Sequence, residues 1–197
     1  FRSGLYKIVT QFLSIIFVDY FNYDIFQAGW ISSIMLVIGG LTAIGGGMLS
    51  DRYPTSLTMA ISLIGSMFSI FLIWLFGGNL HGFWLMVFFF VFVGFLHFSS
   101  AASTKYVAEN VPKKARSTAL GFLFAIPSSI AGVFPWLFGL FLDTGTFEIS
   151  FLYLLTIAIV GTILAFILLL RDIKLGKFTK RGFRQKEEKN ESQLKYI

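Results

Sequence analysis

Six stretches of the chain are apolar almost without interruption, and short polar or glycine-rich joints separate them. They run Leu5–Val18, Phe26–Ser50, Leu57–Phe76, Gly82–Thr104, Arg116–Leu142 and Ile149–Leu170. A helix needs about 20 apolar residues to cross a bilayer, so each stretch is read as a membrane span. The first is short and is expected to begin before Phe1. The joints are Asp19–Ile25, Asp51–Ser56, Gly77–His81, Lys105–Ala115 and Asp143–Glu148. After Leu170 the pattern stops: RDIKLGKFTKRGFRQKEEKNESQLKYI is charged, polar and without an apolar period. This divides the chain into a six-helix membrane domain over residues 1–171 and a basic, disordered tail over 172–197.

Composition sharpens that reading. The chain is 56% hydrophobic, holds 25 Phe, and is only 13% charged, which excludes a soluble domain of this size. It has no cysteine, so disulfides and thiolate metal sites are excluded. A net charge of +6 raises the question of nucleic acid. The placement of the bases answers it: nine of the sixteen Lys and Arg lie after Leu170, and others sit in joints. Arg52, Lys105, Lys113, Lys114 and Arg116 fall in one set of joints, whereas Asp19–Ile25, Gly77–His81 and Asp143–Glu148 hold no Lys or Arg. By the positive-inside rule the first set and the tail are cytoplasmic, in the cell membrane, and the alternation agrees with six spans. The chain opens on Phe1 without a signal-peptide pattern and is read as a fragment whose beginning lies upstream.

A weak repeat runs through the spans. Gly47-Met-Leu-Ser-Asp51 closes the second and Gly139-Leu-Phe-Leu-Asp143 the fifth, a shift of 92 positions that also lays the third span on the sixth. Three spans is an odd number, so two such units face opposite sides of the membrane. Inverted three-helix repeats of this kind mark transporters.

The second span ends in GGGMLSDR, Gly45–Arg52. Three glycines admit close approach of another backbone. Asp51 and Arg52 then place an acid and a base at the membrane edge, and Pro54 stops the helix. The stretch resembles the loop signature of the major facilitator superfamily, roughly G-x-L-A-D-R-x-G-R-[RK]. Gly47, Leu49, Asp51 and Arg52 match, Ser50 replaces the usual Ala, and Pro54 and Thr55 depart from the Gly and Arg. Further on, Glu109, Pro112, Arg116, Ala119 and Gly121 fit E-x-x-P-x-x-x-R-x-x-A-x-G, and Gly132, Pro135, Gly139 and Asp143 continue it.

The resemblance implies an all-α membrane protein, and specifically half of a twelve-helix transporter that works by alternating access on a small-molecule substrate. The fourth span lacks the Arg that the family's N-terminal half typically carries there, and DTGTFEISF is similar to the approach to the family's last helix. The six spans are therefore expected to be helices seven to twelve, with an N-terminal six-helix half of the same chain as partner beside the lipid bilayer. Gating roles are implied for Gly47, Asp51, Arg52, Glu109 and Arg116. The departure at Thr55 implies a weaker gate.

Candidate substrate contacts come from polar residues inside spans. Ser3, Lys7, Gln11 and Ser14 share one face of the first span, bordered by Thr10. An ionisable residue inside a span is costly and tends to face a water-filled cavity; the resemblance implies that this helix lines the central cavity, which makes Lys7 the expected contact for an anionic group. The plainer reading is that Lys7 snorkels to the interface, about 18 Å along the helix from Asp19. In the fourth span His97, Ser100 and Thr104 repeat at helical spacing. His97 either meets substrate or protons or is a hydrogen-bonded packing residue. Gly39, Ala43 and Gly47 form a small-residue stripe on the second span, facing either the other half or a helix of this one. Pro127 and Pro135 break the backbone ladder of the fifth span, shaping it or letting it bend. Asp51, at a helix C-terminus where a carboxylate is disfavoured, needs a positive partner: Arg52, or the N-terminal end of a helix in the other half. No cofactor or metal is expected, since His81 lies in a joint far from His97. A coupling ion remains open.

Two rivals stand beside the transporter half. One is a self-contained six-helix homodimeric transporter. The other is a six-span membrane enzyme, which the chain argues against: no G-x-S-x-G occurs, and the acids Asp51, Glu109, Asp143 and Glu148 all lie at joints rather than in a cluster.

Overall fold

The computed structural model describes residues 2–77, 82–144 and 146–176. Asn79, His81 and most of the tail assigned to 172–197 lie outside these residues. Every regular element among the described residues is helical. Helix α1, Arg2–Asp19, buries Leu5, Ile8, Val9, Leu13, Ile16 and Phe17. Those spacings of three and four make one apolar stripe. Its polar residues Ser3, Lys7, Gln11 and Ser14 fall off that stripe, half-buried or exposed.

A turn at Asn22, in left-handed conformation (φ 54°), leads to α2, Ile25–Arg52. Asp24 caps α2 by accepting the Phe26 N–H at 3.0 Å. Ala28, Ser32, Met35, Gly39, Gly46 and Ser50 face the bundle. The opposite face, with Trp30, Val37, Leu41, Ile44 and Met48, stays open. So broad an apolar face requires lipid or another helix against it.

Helix α3, Thr55–Phe76, follows after Tyr53 and Pro54, and proline cannot extend α2. It packs antiparallel to the last helix: Thr162 donates to the Leu63 carbonyl at 3.2 Å, and Ala60 and Leu63 cluster with Ala165.

The fourth apolar stretch forms two helices, α4, Gly82–Phe98, and α5, Ser100–Asn110, joined at Ser99. The helical path therefore runs past Thr104, and Lys105 and Glu109 are helical rather than part of a joint. Arg116 follows a 3₁₀ turn at Lys113–Ala115.

The fifth stretch is likewise two helices, α6, Arg116–Ile130, and α7, Val133–Thr144. The break falls at Ala131–Gly132, and Pro135 accounts for it. Proline has no N–H for the carbonyl four residues back, and its ring crowds that carbonyl, here Ala131. Pro127 by contrast sits inside α6 without ending it. No side chain of α6 is buried.

Helix α8, Phe147–Lys174, runs past Leu170 and buries Asp172 near its end. Among the described residues, five segments are long and apolar enough to span a membrane: Ile25–Arg52, Thr55–Phe76, Phe83–Asn110, Lys113–Thr144 and Phe147–Lys174. Helix α1 is shorter and carries Arg2, Lys7 and Asp19.

Aromatic rings fill the centre. Phe17 of α1 meets Phe89 of α4 at 5.5 Å between centroids, and Phe89 meets Phe151 of α8 at 5.9 Å. Phe12 meets Phe138 of α7 at 5.2 Å, edge to face. These contacts hold α1 against α4, α7 and α8 and turn its polar stripe toward α6 and α2.

Candidate functional site

The polar stripe of α1 is partly engaged. The Lys7 ammonium donates to the Ser128 carbonyl of α6 at 2.6 Å. The break at Ala131–Gly132 frees that carbonyl. In a continuing α-helix the Gly132 N–H would meet it, but Gly132 donates to Ser129 at 3.2 Å instead. Lys7 thus lies at the negative end of α6, where a cation is favoured. Gln11 is exposed, and Thr10 donates back to its own helix at Tyr6 and Lys7, both 3.1 Å. The Ser14 hydroxyl donates to Ser32 of α2 at 3.0 Å, and Ser32 donates to Ala28 at 2.7 Å. Ser14 therefore ties α1 to α2.

His97 is half-buried and packs edge-on against Tyr6 of α1, centroids 5.2 Å apart. Its Nδ1 lies 2.9 Å from the Val93 carbonyl. A carbonyl only accepts, so Nδ1 carries a hydrogen, and in the neutral ring Nε2 is then the acceptor. Gly39 makes room for the ring, since a Cβ there would stand 2.6 Å from Nδ1. Ser100 is half-buried at the start of α5, and its carbonyl accepts from Ser103 at 2.8 Å and Thr104 at 3.4 Å. Lys7 turns to α6 while His97 turns back on its own helix, so the two do not share a partner.

The small-residue stripe of α2 lies against the α4–α5 junction of the same chain. A Cβ at Gly46 would collide with the Phe98 carbonyl, and one at Gly47 would touch the Ala101 methyl at 3.6 Å. Ala43, one turn before Gly47, is half-buried.

At the end of the bundle where α2 stops, two polar contacts sit one helical turn apart on α5. Lys105 forms an ion pair with Asp51 and donates to the Ser50 carbonyl at 2.9 Å. One turn on, Glu109 accepts from the Thr55 hydroxyl at 3.1 Å. Thr55 is 2% exposed and opens α3, whose N-cap Pro54 supplies no side-chain bond. The Glu109 carboxylate therefore lies at the positive end of α3. Sequence reasoning missed Lys105. Had α5 been extended to Asn110, Lys105 would have fallen one turn beyond Ala101, the residue that meets Gly47. Arg52 is exposed. Arg116 is half-buried at the first position of α6, with its Nε inside and no hydrogen-bond partner among the described residues.

The opposite end of the bundle is acidic. Burial, then the charges of Asp19 and Asp143, raise the Tyr20 hydroxyl above its ordinary pKa, against the opposing effect of a hydrogen bond with Ser150. Among the described residues, no group of three His, Asp or Glu side chains is placed to hold a metal.

A helical bundle with several apolar spans, broken helices and an ion-paired helix end defines an integral membrane protein. The model of the Major Facilitator Superfamily matches residues 2–194, and the chain belongs to that family. It is thus a membrane transport protein; the family consists of transporters rather than enzymes, which removes the enzyme reading. No curated protein and no solved structure matches the chain.

Proposed function

We propose that these helices form the C-terminal half, helices seven to twelve, of a secondary transporter that moves a small organic anion across the cell membrane by alternating access. In this reading two inverted three-helix repeats build the half, the N-terminal half of the same chain completes the cavity, and Arg52, Lys113 and the tail are cytoplasmic. Lys7 is the observation that carries it. A lysine on the half-exposed face of a span, away from the aromatic core and held by a single backbone carbonyl, is costly there, and such residues tend to face an aqueous path. Its charge favours a carboxylate or phosphate.

Gln11, His97 through Nε2, and Ser100 are the accompanying contacts, with Ser14 positioning α1. The Asp51–Lys105 and Glu109–Thr55 pairs, with Gly47, Arg52 and Arg116, form the gate. Gly39, Ala43, Pro127 and Pro135 set helix packing and shape. A homodimer of six-helix units is the competing arrangement.

The test is anion uptake by the full-length protein in proteoliposomes. Lys7→Gln should lower uptake without lowering membrane abundance, and unchanged uptake removes Lys7 from the site. Single cysteines at Asp24, Thr146 and Lys113 check the orientation in a chain that has none. Labelling of Lys113→Cys from outside alone overturns it.

A further inference from the structure

The contact between Lys7 and α6 has a chemical asymmetry. What holds Lys7 is the end of a helix dipole and one carbonyl, about half a unit of negative charge. A carboxylate or phosphate carries at least a full charge and forms stronger charge-assisted hydrogen bonds. The lysine stem is flexible, so its ammonium can turn from one acceptor to the other. Helix α6 meanwhile has no buried side chain, and its own carbonyl ladder is interrupted where Lys7 binds. Among the described residues, the contact of α6 with α1 therefore rests on that bond rather than on buried side chains.

We infer that Lys7 is a switch as well as a binding residue: a substrate anion draws its ammonium off the Ser128 carbonyl and so releases α6 from α1. This rests on the anion reading of the transport site and adds to it how occupancy is transmitted. The freed Ser128 carbonyl, still lacking its helical donor, then takes water. The segment between Pro127 and Pro135 becomes the element that loosens on binding, and α3, packed on both sides, does not.

The direction of the effect makes it distinctive. A ligand that merely orders its site lowers amide exchange nearby, whereas this switch raises it. The experiment uses the full-length protein in nanodiscs, with hydrogen–deuterium exchange read on peptides covering residues 124–135 and on α3 as control. Lys7→Met should raise exchange in 128–133 about tenfold, the loss of one hydrogen bond to a charged group, and leave α3 unchanged. Inorganic phosphate or succinate should raise wild-type exchange toward the same level and should not affect Lys7→Met.

The wild-type comparison with and without anion needs no variant, so misfolding of Lys7→Met cannot hide the answer. Uptake of the same two anions is measured in parallel. Uptake with unchanged or lowered exchange in 128–133 overturns the switch and leaves the anion site standing. Absence of uptake of both anions overturns the anion reading, and the switch with it.

Discussion

The ammonium of Lys105 rests against the carboxylate of Asp51, joining the last turn of α2 to α5. A positive partner for this carboxylate at a helix C-terminus thus comes from α5. Asp51 is 72% exposed and Lys105 28%. An exposed pair of this kind contributes about 0–1 kcal/mol, too little to decide folding. A two-state gate is more sensitive, since about 1 kcal/mol moves its populations severalfold. Asp51→Asn should therefore insert and melt like the parent while speeding the labelling of a Gln11→Cys reporter and slowing transport. Reversing the pair, Asp51→Lys with Lys105→Asp, should restore the parental labelling rate. Equal rates in parent and Asp51→Asn would show a merely solvated helix end.

The Thr55–Glu109 contact should behave differently, because Thr55 is buried. Thr55→Val removes its donor and should cost about 0.5–1.5 kcal/mol, while Glu109→Gln forfeits a charge at the start of α3 worth about 0.3–1 kcal/mol. Thermal unfolding in detergent reads both as lowered midpoints. The double variant should lose less than the two singles added, as residues sharing one bond do. Strict additivity would argue that they act apart.

Two glycines on α2 offer a paired test of close packing. An added methyl at Gly46 strikes the Phe98 backbone carbonyl, whereas at Gly40 it meets nothing within 4 Å. Gly46→Ala should destabilise by about 1–3 kcal/mol, the usual cost of overpacking. Gly40→Ala should be neutral or gain up to about 1 kcal/mol in helix propensity. Matching melting curves for the two variants would contradict the close approach of α2 to the α4–α5 junction.

Alkaline conditions should expose Tyr20. Its pKa is raised in the folded protein, first by burial and then by Asp19 and Asp143. A raised value means the folded state keeps its proton longer than the unfolded chain. The stabilisation is full below about pH 10, the ordinary tyrosine value, and is lost as pH climbs through the raised one. Tyr20→Phe should flatten the fall in stability above that pH and change nothing near neutrality, as read by unfolding midpoints across a pH series.

Helix positions were legible because hydropathy alone sets them: Phe26–Ser50 and Leu57–Phe76 lie within α2 and α3, which extend one or two residues further except at Phe76, where stretch and helix end together. The breaks at Ser99 and Ala131 were not, since the polar residues around them lie inside stretches whose overall hydropathy is that of a single span. Pro135 carried the clue to the second, but its effect falls four residues upstream. The polar residues show the same division. The stripe of Ser3, Lys7, Gln11 and Ser14 follows from helical spacing, but its partners Ser128 and Ser32 lie on other helices and leave no local signal. Lys105 was lost through a boundary: hydropathy falls at Thr104, whereas the helix continues to Asn110.

Lys105 and Glu109 project from α5 four residues apart, one to the end of α2 and the other to the start of α3. A rigid cylinder cannot roll one of these side chains away without carrying the other along. Two individually weak tethers therefore release together, and their free energies act as a single threshold rather than two graded resistances. That end of the bundle should answer a displacing force in the manner of a catch: unmoved by small loads, and wholly open once both tethers yield.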